Sequence, residues 1–189
     1  MKCSFIISVF DRPKHLRCLL ASLAIQDEPD FEAFVTDNSE DGRSAAVVSD
    51  MHDLRFRHVH TGIMIASRNC CDAANLVASQ AQGEYLCFPS DDDYYVPAFL
   101  RLMLTQKTDI IYCDMVYDPR LSKKKEYSVI NVRPQVGKID KGGYLIRRSK
   151  FRPFPWEKWV ITADGVLIEE LIKDGLSHAK VPGVLWVHN

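Results

Sequence analysis

A chain of 189 residues has the length of one domain and can bury a sizeable core. Hydrophobic residues make up 47% and charged residues 26%, the balance of an ordinary globular protein rather than a disordered one. The formal net charge of -1 excludes a global electrostatic pull toward nucleic acid or an anionic membrane.

Residues 4–9 are apolar and β-branched and read as a buried strand. The run 3–9 is too short to cross a membrane and lacks a signal-peptide cleavage pattern, so the expected location is cytoplasmic. Phe10-Asp11-Arg12 breaks the strand, and Pro13 stands where a helix starts, a position that tolerates its missing N–H. Leu16, Leu19, Leu20, Leu23 and Ala24 follow at helical spacing. Residues 31–36 read as a second strand, ending at Asp37-Asn38-Ser39. A short helix around 43–51 and a weaker strand at 54–60 come next. Residues 63–81 carry the clearest helical pattern, with Ala66, Asn69, Cys70, Ala73, Ala74 and Val77 on one face and Gly83 beyond the end. A face of such small residues lets a neighbour pack close. A fourth strand at 85–88 runs into Ser90-Asp91-Asp92-Asp93, Pro97 opens a helix through Leu104, and 109–113 is a fifth strand.

The pattern loosens after Asp114. A hairpin is expected over 115–132, with Lys123-Lys124-Lys125 near its turn. Then come Gly142-Gly143, a proline-rich turn at 152–156, a helix at 162–173 and a final strand at 184–187. Alternating strands and helices predict an α/β fold, a mostly parallel central sheet flanked by helices. No repeat, low-complexity tract or linker divides the chain, which reads as one domain. The six cysteines form no CxxC pair, and most lie in apolar stretches, so they read as small core hydrophobes in a reducing compartment.

In open α/β sheets, ligands bind beyond the carboxyl ends of the strands. Three polar clusters land there: Asp11, Asp37-Asn38 and Asp91-Asp92-Asp93. Consecutive aspartates raise one another's pKa unless something neutralises them. A divalent cation does so, since Mg²⁺ or Mn²⁺ takes oxygen ligands and bridges to substrate phosphates. The competing reading is a solvated acidic loop at the start of the next helix.

The chain resembles a family 2 glycosyltransferase with the GT-A (Rossmann-like) fold. The resemblance rests on FIISVFDRPKHLRCLLASL, FEAFVTDNSEDG and ASRNCCDAANLVASQAQGEYLCFPSDDDYYVPAFL, and it thins beyond about residue 104. It implies a nucleotide-sugar-binding half (1–113) and an acceptor-side half (114–189). It implies donor contacts from Phe10, Asp11, Arg12, Asp37, Asn38 and Arg68, with Asp37 at the base. A DxD metal site for Mn²⁺ or Mg²⁺ is implied among Asp91, Asp92 and Asp93. His188 resembles the C-terminal histidine that completes such a site. The motif departs from the family at Ser90, where aspartate is usual, and at Pro89, where leucine is common. Gly142 and Gly143 match the segment before the acceptor site, where glycine lets backbone approach the donor. Asp164 stands where the family has its catalytic base, the alternative being a helix cap. Trp156 and Trp159 are candidates for stacking on a sugar.

The implied reaction moves a sugar from a nucleoside-diphosphate sugar, a UDP-sugar first of all, to an acceptor hydroxyl with inversion. A non-catalytic nucleotide-sugar-binding module is the alternative from another class. A sugar-phosphate nucleotidyltransferase is the enzymatic one, although Phe10-Asp11-Arg12-Pro13 stands where that class carries a glycine-rich basic loop. Arg147, Arg148, Lys150 and Arg152 form a local basic stretch. Beside an acceptor site it would favour an anionic acceptor: a lipid-linked phosphate, an acidic glycan, or a nucleic acid with a hydroxylated base.

Overall fold

Strand β1 (Cys3–Val9) is buried along its whole length. A strand covered on both faces carries a continuous apolar run rather than an alternating one, which is what Phe5, Ile6, Ile7 and Val9 provide. The structure, a computed structural model, describes residues 1–9, 11–37, 41–62, 70–118, 126–154 and 162–188. In it β1 pairs in parallel with β2 (Phe31–Asp37) on one side and β4 (Tyr85–Cys87) on the other. Strand β3 (Phe56–His60) adds in parallel outside β2.

Beyond β4 the sheet becomes mixed. β6 (Ile110–Tyr117) points the same way as β4, but β8 (Tyr144–Arg147) is inserted between them, antiparallel to both. β9 (His178–His188) lies parallel to β6, and the two-residue β5 (Tyr94–Tyr95) closes the edge, antiparallel to β9. The order is β3-β2-β1-β4-β8-β6-β9-β5, with β7 (Ser128–Ile130) paired to β6. Parallel pairing therefore holds from β3 to β4 and between β6 and β9, and the remaining pairs are antiparallel.

Helices cover both faces. α1 (Pro13–Ala24), α2 (Arg43–Asp50) and α4 (Phe99–Met103) pack with Phe5, Ile7 and Val9. α3 (Cys70–Ala78) and α5 (Ala163–Lys173) pack with Ile6, Phe34, Leu86 and Phe88. Leu16, Leu19, Leu20 and Leu23 are all fully buried. Burial of each such side chain contributes about 1.5–3 kcal/mol, so packing of this stripe secures α1 more than helix propensity does. In α3, Ala73, Ala74 and Val77 of the expected face are buried, while Ala66 and Asn69 lie outside the described residues.

Two strands are longer than their sequence pattern implies. β6 runs on to Tyr117, where it pairs with β7 as the expected hairpin. β9 begins at His178 rather than at 184, because Pro182 and Gly183 interrupt the apolar pattern without ending the strand. They form a bulge: Cys113 pairs with Val181 and Asp114 with Val184, and Gly183 takes φ +108, a conformation L side chains rarely adopt. Cys3, Cys87 and Cys113 are buried as expected, whereas Cys18 is exposed on α1. Among the described residues no helix is long and apolar enough to cross a membrane.

Candidate functional site

β1, β2 and β4 all end toward the same rim, and the polar clusters of the sequence gather on it. The acidic cluster after β4 divides there into two parts. Asp91 and Asp92 belong to Arg12. The guanidinium reaches Asp91 through Nη2 at 2.6 Å and binds Asp92 through Nη1. Both carboxylates are buried, so this cation from the turn after β1 supplies neutralisation that the sequence alone assigned to a metal ion.

Asp93 belongs to a different group. It is fully buried, its Oδ2 accepts the Ser90 amide at 2.8 Å, and its Oδ1 lies 2.9 Å from Nδ1 of His188. The ladder between β5 and β9 explains the meeting. Tyr94 pairs with Val187, so the residues flanking that pair, Asp93 and His188, become neighbours. The other ring nitrogen, Nε2, lies 3.9 Å from Oδ2 of Asp140. Ligand atoms of Asp93, Asp140 and His188 all fall within 4.8 Å of one another, a set able to hold a metal ion. Burial opposes the imidazolium, but the Asp93 hydrogen bond and the Asp140 charge outweigh it and raise His188 to about 9. Burial pushes the Asp93 carboxyl up to about 6, against the pull of His188.

Gly142 and Gly143 lie in a short 3-10 turn (Lys141–Gly143) leading into β8. A Cβ on Gly142 would stand 2.6 Å from Oδ2 of Asp93 and 2.8 Å from the Trp186 ring, and one on Gly143 would stand 2.5 Å from Trp186 Nε1. The close approach that demands glycine here is therefore to Asp93 and to a buried indole. The same turn meets Asp164. Its Oδ2 accepts the Lys141 amide at 3.0 Å and its Oδ1 accepts the Gly165 amide at 2.8 Å. Asp164 is in the first turn of α5, two residues after the N-cap position Thr162, so the carboxylate ties α5 to the glycine turn and also accepts a first-turn amide of the helix. Burial, then the charge of Asp140, lift Asp164 to about 6, the range of a general base.

At the ends of β1 and β2, Asp11 takes φ 52 and pairs with Arg43 of α2, while Asp37 is buried with its Oδ2 at 3.6 Å from His58 Nε2. Phe10, Asn38, Arg68, Trp156 and Trp159 lie outside the described residues. The basic stretch is elsewhere. β8 carries it away from the rim: Arg147 faces Tyr85 at the start of β4 and pairs with Glu84, while Arg148 donates to the Gly83 carbonyl. Arg152 pairs with Asp174, just past the end of α5 opposite Asp164. Arg147 and Arg152 are held in local ion pairs and Arg148 in a backbone hydrogen bond, away from the rim.

Sequence reasoning missed Asp140, Trp186 and His58. Trp186 is 1% exposed, its indole tilted against the His188 ring at 5.6 Å, and it decides why two glycines stand at 142–143.

The family model for Glycosyl transferase family 2 matches residues 4–168. The chain belongs to this family. Among solved structures, S. aureus TarS 1–349 superposes with a TM-score of 0.78 at 19% identity, over 100% of this chain and 60% of that one. The same TarS fragment has structures in complex with UDP and with UDP-GlcNAc. The mannosyltransferase PcManGT from Pyrobaculum calidifontis, in complex with GDP-Man and Mn²⁺, superposes with a TM-score of 0.75 at 18% identity, over 99% of this chain and 56% of that one. Protein CgeD of Bacillus subtilis (strain 168) is 24% identical over 110 residues, 56% of this chain and 26% of its own length. The chain thus spans 60% or less of each of these proteins. The family 2 chain has the GT-A fold of these glycosyltransferase structures.

Proposed function

We propose that this family 2 protein is a metal-dependent, inverting glycosyltransferase that moves a sugar from a UDP-sugar to an acceptor hydroxyl. The observation that carries the reading is the meeting of Asp93 with His188, beside the glycine turn that also holds Asp164. The donor set fits a divalent cation: a carboxylate oxygen and an imidazole nitrogen already converge, and the missing Cβ of Gly142 leaves Asp93 room. Bound there, the cation would offset the charge that builds on the departing nucleoside diphosphate.

Asp37, buried at the end of β2, is assigned to the nucleobase, with Arg12 and Asp11 on the rim beside it. Arg12 also holds Asp91 and Asp92 in place through its ion pairs while the donor binds. Asp164 takes the proton of the acceptor hydroxyl as that oxygen attacks the anomeric carbon from the side opposite the diphosphate. Its raised proton affinity suits it to this transfer near neutral pH. Direct displacement needs no enzyme nucleophile and inverts the anomeric carbon. The UDP assignment leans on the UDP and UDP-GlcNAc complexes of TarS; the GDP-Man complex of PcManGT makes guanosine donors the second choice. The free thiols of Cys3, Cys18, Cys71, Cys87 and Cys113 suit the reducing cytoplasm.

The test is incubation of the chain with Mn²⁺ and a panel of UDP- and GDP-sugars and acceptors, read by mass spectrometry. Metal-dependent release of nucleoside diphosphate with a glycosylated product is expected. Donor binding without turnover across the panel would favour a non-catalytic binding module.

A further inference from the structure

Asp140 precedes the glycine turn and belongs to no motif that the family resemblance singled out. Its Oδ1 accepts the Gly142 amide at 2.9 Å, which fixes the carboxylate and leaves Oδ2 toward the imidazole, 3.9 Å from His188 Nε2. Asp93 is built the same way. One of its oxygens is anchored on the Ser90 amide and the other faces His188. Two carboxylates, each held by a backbone amide through one oxygen and each presenting the other to the same ring, form a preorganised cation site rather than a chance acidic patch. His188 is the described cation within ion-pair reach of Asp140. Asp91 and Asp92, by contrast, are committed to Arg12.

We propose that Asp140 is a third protein ligand of the divalent cation, with Asp93 and His188. Two carboxylates bring two negative charges to a divalent ion, and two oxygens with one imidazole nitrogen suit Mn²⁺. The ion takes the place of a ring proton of His188, since a ligating nitrogen carries none. The inference rests on the metal-dependent reading above and adds to it a ligand from the acceptor-side half of the chain. The glycine turn then joins the two functions, with Asp140 at its start serving the cation and the Lys141 amide holding Asp164.

The experiment is calorimetric titration of Mn²⁺ alone into the metal-stripped full chain, with thermal melting of each stripped variant as the folding control. Asp140→Asn keeps an oxygen for the Gly142 amide, so it removes the charge and spares the turn. It is expected to weaken Mn²⁺ by at least about 10-fold, while Asp164→Asn stays within about 2-fold of the parent. Parent-like affinity in Asp140→Asn overturns the proposal and leaves metal-dependent transfer standing. Absence of Mn²⁺ binding by the parent removes both readings together. Anomalous scattering from Mn²⁺ in crystals of the parent provides the check that needs no variant: an ion bound to Asp93 and His188 without an Asp140 oxygen also overturns the proposal.

Discussion

Nδ1 of His188 lies 2.9 Å from Oδ1 of Asp93, and 95 positions of chain separate the two residues. The two-residue strand β5 closes that distance by pairing with the end of β9 immediately after Asp93. The His188 ring is then within ion-pair reach of both Asp93 and Asp140.

That placement sets a pH dependence for the metal. His188 holds its proton up to about 9, and an ion needs a ring nitrogen without one. Below that pH, each Mn²⁺ bound should release about one proton, and affinity should rise roughly tenfold per unit from neutral pH upward. Calorimetry in buffers of different ionisation enthalpy measures both quantities. Affinity that stays flat over this range would place the ion away from His188.

Asp164 gives a separate pH dependence, in the rate. Its folded-state pKa of about 6 means that the base is lost as pH falls through that value. Transfer at saturating donor should therefore show an acid limb near pH 6, and Asp164→Asn should abolish the limb along with about 10²–10⁴-fold of the rate. Donor binding should be unchanged. A variant of normal rate would shift the base to another residue, with Glu169 of α5 the first to examine.

The two glycines should separate by function. Gly142→Ala forces a methyl against the Asp93 carboxylate and the Trp186 ring, so it should weaken Mn²⁺ binding and cost about 1–3 kcal/mol of stability. Gly143→Ala meets the indole alone and should cost stability in the same range with metal affinity retained once folded. Urea unfolding paired with Mn²⁺ titration tests the difference. Equal effects on metal affinity would mean that the turn acts as one block.

Much of this was legible in the sequence because it is local. The apolar run of β1, the leucine stripe of α1 and the acidic stop after β4 each declare themselves within a dozen residues. What was not legible is long-range pairing. Asp140 has no signature of its own and reaches His188 only because β8 inserts between β4 and β6. Tyr94-Tyr95 is too short to read as a strand, yet it aligns Asp93 with His188. The basic stretch is another case: adjacency to the glycine turn in sequence becomes separation in space, because β8 runs antiparallel to β4 and carries Arg147 to the start of that strand, away from the rim. The pairing of Arg12 with residues 91 and 92 is long-range as well and has no signature in the sequence.

Arg12→Ala tests how that pair is held. It removes the guanidinium from two buried carboxylates, and part of the 3–5 kcal/mol typical of a broken buried pair is expected, about 1–3 kcal/mol, because Arg12 itself is partly exposed. Urea unfolding measures it. Recovery of the lost stability on adding Mn²⁺ would mean that Asp91 and Asp92 take the metal after all.

A cation at Asp93 and His188 should couple this family 2 site to its nucleotide donor. Calorimetric binding of UDP to the full chain with Mn²⁺, with EDTA, and with Mn²⁺ in the Asp93→Asn variant measures that coupling. Tight binding is expected in the first case and binding weaker by at least about 10-fold in the other two, with all proteins folded. Equal UDP affinity in Mn²⁺ and in EDTA would contradict it.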